Sequence, residues 1–317
     1  MGPVPLSRRS ALALSAPWAG WALVRASGAE RGFPLVPALA FTRYAAGTSL
    51  LPLAAAVSAR SRGATAVAGA ATALLAGAVL RTAGRPAPPP PGRPLRLGSL
   101  NMLYGRADPA AVLALAAEVD VLALAEVTPE ADAALRAAGL PQLLPHGTFL
   151  ASADPAVPGA GGAVWTRLPV TGQGQLPGHF QQPVLRVAPP GAAEVEVTAV
   201  HLHPPTSSPG DVRHWQLDLD RLPDADPDVL QVLAGDFNTT PDHASFRRVL
   251  RHGWVDAAQA TGQGLRPTWS PIRSPLPRLT LDHVLVDPRI GVASLEVRSV
   301  AGTDHRALLV ELRLPPA

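Results

Sequence analysis

The sequence predicts an α/β domain preceded by an apolar N-terminal segment, and three observations support this division. Apolar runs fill residues 1–84, where acidic residues are almost absent. The run "RPAPPPPGRP" at residues 85–94 is a stiff, extended spacer that marks a domain boundary. In residues 95–317, strand-like runs alternate with helical patterns, which is typical of layered α/β domains.

The N-terminal segment contains three apolar runs, at residues 10–24, 35–59 and 64–80. A membrane-spanning helix needs about 17–25 mostly apolar residues, and we therefore predict three transmembrane helices. Positive residues favour the cytoplasmic side of a membrane. That side would hold Arg8, Arg9, Arg60 and Arg62. Three spans that start inside finish outside, so the domain is expected at the cell membrane, on its extracytoplasmic face.

Two other interpretations of the N-terminal segment remain open. The run "SRRSALAL" at residues 7–14 resembles a twin-arginine export signal, which would also place the domain outside the cytoplasm. A signal alone does not account for the apolar runs after residue 34. A buried helical bundle of a soluble protein is the third interpretation, and the scarcity of acidic residues disfavours it.

The distribution of charge argues against a nucleic-acid-binding surface. The whole chain carries +3, but residues 1–94 carry +9 and residues 95–317 carry −6. A protein that grips a polyanion through many phosphates needs the opposite arrangement. We therefore predict no strong basic nucleic-acid-binding patch in the domain. The chain has no cysteine, which excludes disulfides and thiolate metal sites, and the oligomeric state is left open.

Local signals place the elements of the domain. Helices are predicted at 108–118 with Asp108 as N-cap, at 128–139 with Thr128 as N-cap, at 208–222, and at 240–253. The last helix is expected to be capped by Thr240, or by its neighbour Thr239, and to start at Pro241. Strands are predicted at 95–101, 120–126, 161–167, 183–188, 193–203, 228–236, 281–287, 292–299 and 306–314.

Polar residues collect at the ends of these predicted strands. In "LAGDFNTTPDH", for example, Asp236 and Asn238 follow a buried apolar run. Alone, Gly-Asp-x-Asn is more often a turn. Six strand ends carry such residues, however, and ligands of layered α/β folds bind outside strand ends. The members of this set are Asn101, Glu126, His201, His203, Asp236, Asn238, Asp282, His283, Asp304 and His305.

Eight motifs together resemble the endonuclease/exonuclease/phosphatase superfamily. They are "SLNML", "LALAEVTPE", "GGAVWTRLPV", "TAVHLHPP", "RHWQLDL", "LAGDFNTTPDHASFR", "LTLDHVLV" and "GTDHRALLVEL". The resemblance covers residues 95–314 in order. It implies a four-layer α/β sandwich, in which two β-sheets pack face to face with helices outside, and an activity that hydrolyses phosphate esters.

The resemblance also implies a divalent metal site formed by Asn101, Glu126 and Asp304. Mg²⁺ prefers oxygen ligands and needs only one or two carboxylates beside water and phosphate. Zinc would require more histidine or cysteine ligands. The expected cofactor is therefore Mg²⁺, with Mn²⁺ as an alternative.

The catalytic roles implied by the resemblance fall on five residues. Asp236 would orient or deprotonate the attacking water. His305, oriented by Asp282, would act on the scissile phosphate. His201 and Asn238 would contact phosphate oxygens. Phosphoryl transfer requires mainly positioning and neutralisation of charge, which these residue types supply.

Five further residues have weaker or structural assignments. His203 is expected on the same strand face as His201 and is a candidate substrate contact, or shapes the rim. Arg213 is a candidate substrate contact, although a structural clamp between helix and strand is the preferred interpretation. Trp269 in "PTWSP" is either a substrate contact or a packed indole. His283 is expected to be a packed, satisfied histidine, and Trp165 a core residue.

The predicted function is a membrane-tethered, metal-dependent phosphoesterase. Its expected partners are the membrane and a phosphoester substrate, with a phosphodiester of extracellular nucleic acid or of a phospholipid head group preferred. Two alternatives remain open: a small-molecule phosphomonoesterase, and a catalytically inactive module that binds at the membrane surface. The presence of Glu126, Asp304 and His305 disfavours the inactive module.

Overall fold

The computed structural model describes residues 7–272 and 275–317. In it the N-terminal segment makes three antiparallel passes: α1, then α3 with α4, then α5. Small side chains form the contacts between passes, with Ala11, Ala56 and Ala64 at one end and Ala22 and Ala71 nearer the domain. The helices are α1 (Arg8–Ser27), α2 (Leu35–Leu39), α3 (Thr42–Thr48), α4 (Leu50–Ser58) and α5 (Arg62–Ala83).

The second predicted span, residues 35–59, is divided among α2, α3 and α4 rather than forming one helix. Pro37 lies in the first turn of α2 and Pro52 in the first turn of α4. Proline is accommodated there but does not continue a preceding helix. Within the described ranges, one helix, α5, is long and apolar enough to cross a membrane. Membrane insertion of the segment therefore stays a prediction.

The domain that follows contains two six-stranded sheets. The first has the order β11-β12-β1-β2-β4-β3 and the second β5-β6-β7-β8-β10-β9. The strands of the first are β1 (Arg93–Asn101), β2 (Val121–Ala125), β3 (His146–Leu150), β4 (Gly162–Thr166), β11 (Gly291–Ser299) and β12 (Arg306–Leu314). Those of the second are β5 (Val170–Leu176), β6 (Gln182–Val187), β7 (Val195–His201), β8 (Leu230–Asp236), β9 (Val255–Asp256) and β10 (Asp282–Val286).

Three hydrophobic clusters confirm the predicted four-layer sandwich. The central cluster joins the facing sheets, for example through Leu97 and Val197. A second lies between the first sheet and its helices, and a third, built around Trp215 and Phe246, lies between the second sheet and its helices. Trp165 is in the second cluster, as predicted for a core residue. The helices are α6 (Pro109–Glu118), α7 (Pro129–Ala138), α8 (Leu140–Leu143), α9 (Pro209–Arg221), α10 (Ala244–Arg251) and α11 (Ala257–Ala260).

The predicted caps of two helices are confirmed. The Asp108 side chain accepts a hydrogen bond from the N–H of Ala111 at the start of α6. Thr128 does the same for Ala131 in α7. The short strands β3, β5 and β9 were not predicted. The sequence of β5, "VTGQGQL", is glycine-rich and largely exposed, so it lacks the apolar alternation on which strand prediction depends.

The start of α10 corrects a prediction. The helix begins at Ala244 rather than at Pro241, with His243 as its N-cap residue. Thr240 instead closes a turn, in which its hydroxyl accepts from the N–H of Asp242 at 3.3 Å. The N–H of Ala244 donates to the carboxylate of Glu30, the single acid of the N-terminal segment. A distant carboxylate therefore caps this helix, which local sequence signals do not reveal.

The N-terminal segment is joined to the domain by a buried polar interface. Arg25 donates from Nε to Asp242 Oδ1 at 2.9 Å, and both side chains are about one-tenth exposed. The ring of His243 donates from Nε2 to the carbonyl oxygen of Val36 at 2.9 Å. Val36 itself is fully buried in the third hydrophobic cluster of the domain. Because buried ion pairs are costly to separate, the segment and the domain form one structural unit.

His243 makes this interface sensitive to acid. Burial, with a contribution from the charge of Arg247, lowers the pKa of His243 to about 4, although its hydrogen bonds with Val36 and Thr240 oppose the shift. The imidazole of His243 binds a proton near pH 6.5 in the unfolded chain, whereas in the folded chain it stays neutral at that pH. The contribution of His243 to folding is therefore present above pH 6.5 and is lost as pH falls towards 4.

We expect acidification from pH 7 to pH 5 to lower the free energy of unfolding by roughly 2 kcal/mol through His243. The replacement His243→Gln should remove that part of the pH dependence. Thermal unfolding of the full chain in detergent, followed by circular dichroism at a series of pH values, measures it. His252→Gln, at a half-exposed position, is the control. An unchanged pH slope in His243→Gln would refute the assignment.

Candidate active site

Strand pairing brings the predicted polar residues of both sheets to one edge of the sandwich. In the second sheet, Asp236 is paired with His201 on β7 and with Asp282 on β10. In the first sheet, Asn101 ends β1, and Glu126 directly follows the parallel neighbour β2. The strand ends that the sequence singled out therefore converge.

Asn101 connects the two sheets within this cluster. Its side-chain amide donates to Glu126 Oε1 at 2.9 Å and to Asp236 Oδ2 at 3.0 Å. Its oxygen accepts from the N–H of Leu103 at 2.9 Å. Asn101 is buried, and Glu126 also accepts from the N–H of Tyr104 at 2.8 Å. These bonds hold the carboxylates of Glu126 and Asp236 on either side of one amide.

The backbone around the cluster is held in an uncommon conformation. Four of its residues that are not glycine have positive φ, a region that side chains with a Cβ rarely adopt. Such positions concentrate at functional sites, where the surrounding structure enforces them. At Glu126 and Asn238 this conformation turns the chain out of the strand direction just after β2 and β8. The four residues are Leu103 (φ 48°), Tyr104 (φ 53°), Glu126 (φ 56°) and Asn238 (φ 48°).

His305 is held as a cation by two carboxylates. Its Nδ1 donates to Asp282 Oδ2 at 2.9 Å, and its Nε2 lies 3.7 Å from Asp236 Oδ2. Burial disfavours the charged ring, but Asp282 and Asp236 outweigh that effect and raise the pKa of His305 to about 10. The imidazolium therefore presents its Nε2–H towards Asp236 at neutral pH.

Asp236 favours its neutral form, whereas His305 favours its charged form. Burial, together with the charges of Asp282 and Glu126, raises the pKa of Asp236 to about 7, although His305 and the N–H of Asn238 oppose the shift. That N–H donates to Asp236 Oδ1 at 2.8 Å and fixes the orientation of the carboxylate. A carboxylate whose pKa lies near neutrality is suited to accept a proton.

His201 is a neutral ring beside this pair. Burial, with a further contribution from His305, lowers the pKa of His201 to about 3. The ring packs against Phe180, with centroids 4.5 Å apart, and its Nε2 is 3.7 Å from Glu126 Oε1. Its Nδ1 is buried and has no hydrogen-bond partner among the described residues. A neutral imidazole with a free Nε2–H can donate to a phosphate oxygen.

Asp304 and Trp269 lie beside His305. The indole N–H of Trp269 donates to Asp304 Oδ2 at 2.9 Å, which holds the carboxylate beside His305. The other oxygen, Oδ1, is buried, lies 3.9 Å from His305 Nε2, and has no hydrogen-bond partner in the described part of the chain. Trp269 is partly buried and lines the cavity, and its contact with a substrate stays a prediction.

Three predicted positions lie away from the centre. His203 packs on Phe180, and its N–H donates to Asp218 Oδ2 at 3.0 Å. Arg213 is exposed on α9. Neither residue is among the described residues that line the cavity, so their proposed substrate contacts stay predictions. His283 is buried between Asp256 Oδ2 and the carbonyl oxygen of Thr239, which confirms its prediction as a packed histidine.

These side chains open into a cavity of about 730 Å³. Its polar floor consists of Glu126, His201, Asp236, Asn238, Asp304 and His305. The N-terminal segment contributes a further wall, consisting of Trp21, Pro34, Pro37, Ala38, Ala40 and Phe41. The sequence carried no signal for this wall, because it depends on how two parts of the chain, far apart in sequence, pack together.

Comparison with known proteins agrees with the geometry. A model of the endonuclease/exonuclease/phosphatase family matches residues 98–305, which is most of the domain. The chain belongs to this family. Members of the endonuclease/exonuclease/phosphatase family are hydrolases that act on phosphoester bonds, and this chain has the family fold together with a cluster of acidic and histidine side chains suited to a metal.

Solved structures show the same fold. An endonuclease/exonuclease/phosphatase from Beutenbergia cavernae DSM 12333 is 25% identical, with a TM-score of 0.53, covering 70% of this chain and 72% of that one. One from Leptotrichia buccalis C-1013-b is 16% identical, with a TM-score of 0.51, covering 69% and 100%. D. rerio TDP2, complexed with a single-strand DNA product, is 16% identical, with a TM-score of 0.53, covering 69% and 99%. Among curated proteins, none matches this sequence.

The donor groups at the strand ends fit a divalent cation. Glu126, His201 and Asp236 each offer one ligand atom, and these atoms lie within 4.8 Å of one another. Asp236, Asp282 and His305 form a second such group. The repulsion among buried carboxylates, which contributes to the raised pKa of Asp236, is the feature that a cation would relieve. Oxygen donors predominate, as magnesium and manganese prefer.

Proposed function

We propose that the chain is a membrane-tethered, divalent-metal-dependent hydrolase that cleaves a phosphodiester by in-line attack of water. One observation carries this proposal. Asp236 and His305 lie 3.7 Å apart at the cavity floor, one a carboxylate with a raised pKa and the other an imidazolium. A proton acceptor next to a fixed cation is the arrangement that attack on an anionic phosphate requires.

In this mechanism Asp236 orients the attacking water and accepts its proton. The N–H of Asn238 holds the carboxylate at 2.8 Å, so the acceptor does not need to reorganise during the reaction. The water oxygen bonds to phosphorus, and the ester P–O bond on the opposite side breaks. The turn after β8 therefore fixes the orientation of the Asp236 carboxylate towards the attacking water.

The charge that develops on the phosphate is stabilised by fixed donors. His305 supplies the imidazolium, and Asp282 holds its ring by the bond to Nδ1 at 2.9 Å. His201 and Asn238 would donate neutral hydrogen bonds from the other side. Preorganised donors of this kind typically contribute a factor of about 10²–10³ each to the rate.

Glu126, Asn101 and Asp304, the ligands that the family resemblance implies, would hold the divalent ion. When bound, such an ion neutralises phosphate charge and lowers the pKa of a coordinated water. The network of Asn101 keeps the Glu126 carboxylate in place. The proposed ion is Mg²⁺, with Mn²⁺ as an alternative.

Membrane attachment is proposed through the N-terminal segment, with the domain on the extracytoplasmic side. Large apolar side chains on the outer faces of its helices support this, since contiguous exposed apolar surface marks membrane contact. Examples are Leu12, Leu14, Leu23, Leu50, Leu51, Val57, Leu74 and Leu80. The arginines at residues 8, 9, 60 and 62 lie at the ends of the passes far from the domain, which would be the cytoplasmic side.

The proposal predicts that the full chain, purified in detergent with Mg²⁺ or Mn²⁺, hydrolyses bis-p-nitrophenyl phosphate faster than p-nitrophenyl phosphate. A diester carries one negative charge, whereas a monoester dianion would meet Glu126, Asp236 and Asp304 with two. Faster hydrolysis of the monoester would favour a phosphomonoesterase. Binding of both esters without hydrolysis of either would favour an inactive binding module.

A further inference from the structure

The cavity has two chemically different halves. The reactive side chains occupy its floor, and mainly apolar side chains form the remaining walls. On the domain side these are Leu103, Tyr104, Val157, Phe180, Leu279 and Leu281. On the other side stand Trp21, Phe41 and the prolines of the N-terminal segment. Ligand sites combine apolar walls with a few convergent polar groups in this way.

The apolar wall from the N-terminal segment is fixed in place. Trp21 donates its indole N–H to the hydroxyl of Thr42 at 3.0 Å, which ties α1 to α3. The segment between these helices is anchored through Val36, which is buried in the core of the domain. Side-chain contacts therefore fix the position of this wall relative to the domain.

The charges around the cavity do not suit a polyanion. Its floor carries the carboxylates of Glu126, Asp236 and Asp304, and no arginine from residues 7–272 or 275–317 lines it. A polymer of phosphates places further negative charges next to the reacting one and needs cations along its path. A molecule with one phosphoester group and an apolar substituent matches both, because its phosphate suits the polar floor and its substituent suits the apolar walls.

We propose that the N-terminal segment forms a binding subsite for a hydrocarbon chain, so that the enzyme's substrates are amphiphilic phosphoesters such as lipids. This deepens, and rests on, the proposed phosphodiesterase function. The phosphate would lie at the floor between His201 and His305. The hydrocarbon part would lie against Trp21, Pro37, Ala38 and Phe41. A volume of about 730 Å³ is within the range of sites that enclose ligands of drug size.

The position of the subsite agrees with a membrane source for such a substrate. The segment that carries the subsite is also the one that exposes large apolar side chains on its outer faces. Tryptophan is favoured where an apolar phase meets water. Trp21 lies near the end of α1 that packs on the domain. A chain leaving the membrane would therefore meet the subsite before the reactive floor.

The test is a series of p-nitrophenyl alkyl phosphates from methyl to hexyl, assayed below their critical micelle concentrations with the full chain at fixed detergent. We expect kcat/KM to rise with each added methylene, by a factor of up to roughly four, which is the factor for complete burial of one methylene. Trp21→Ala should flatten this rise, so that the ratio of kcat/KM for the hexyl ester to kcat/KM for the methyl ester falls towards one. Ala38→Phe, which fills the subsite, should lower the rate on the hexyl ester selectively.

Trp18→Ala is the matched control. Trp18 lies one turn before Trp21 on α1, and its indole N–H likewise donates to a threonine, Thr48, at 3.1 Å. Trp18 does not line the cavity, so its variant should keep the chain-length dependence of the wild type. Equal rates across the series, or equal flattening in both tryptophan variants, would overturn the subsite alone. Failure to hydrolyse even the methyl ester would overturn the proposed function, and the subsite with it.

Discussion

Replacing Asp236 by asparagine is expected to lower kcat for bis-p-nitrophenyl phosphate by about 10²–10⁴-fold, because the reaction loses its proton acceptor. Asparagine preserves the shape of the side chain and can still accept one of the two hydrogen bonds, from Asn101 or from Asn238. KM should change little, since the carboxylate does not attract an anionic substrate. Steady-state kinetics with saturating Mg²⁺ measures both constants.

Asp220→Asn is the matched control for this variant. Asp220 is an exposed aspartate on α9 that pairs with Arg248, and its replacement should leave kcat unchanged. Thermal unfolding of both variants separates a chemical defect from a folding defect. A kcat for Asp236→Asn within threefold of the wild type would exclude Asp236 as the proton acceptor.

Replacing Glu126 by glutamine is expected to raise the Mg²⁺ concentration for half-maximal activity by at least about 10–100-fold. Removing a group that only hydrogen-bonds to a metal ligand typically lowers metal affinity by about this factor. Glu126 is assigned as a ligand itself, so its replacement should lower metal affinity at least as much. Glutamine can still accept one of the bonds from Asn101 and Tyr104. Activity should therefore recover in part at high Mg²⁺, which a misfolded variant would not show.

The control for the metal titration is Glu130→Gln, at an exposed position in the first turn of α7. Its half-maximal Mg²⁺ concentration should equal that of the wild type. If Glu126→Gln and Glu130→Gln respond to Mg²⁺ identically, Glu126 does not bind the metal.

The fold and most of the floor of the site could be predicted because they follow local patterns. Apolar runs of strand length ended in polar residues, and parallel pairing necessarily brings such ends together. Asp236 and His201 thus meet across β7 and β8. The packed state of His283 followed from strand alternation relative to Asp282.

What could not be predicted depends on contacts between distant parts of the chain. Glu30 caps α10 from the N-terminal segment, so the helix begins three residues after its predicted first residue. The left-handed backbone at Tyr104 and Glu126 is enforced by the cluster and not by the residue types. The wall formed by Trp21 and Phe41 arises only when the segment packs on the domain.

The central claim, a metal-dependent hydrolase acting through this cluster, is tested most directly by one measurement. The full chain is treated with EDTA, and its hydrolysis of bis-p-nitrophenyl phosphate is followed while Mg²⁺ or Mn²⁺ is added back in excess. We predict that the rate falls to background in EDTA and returns with either ion. A rate that EDTA leaves unchanged would contradict the account.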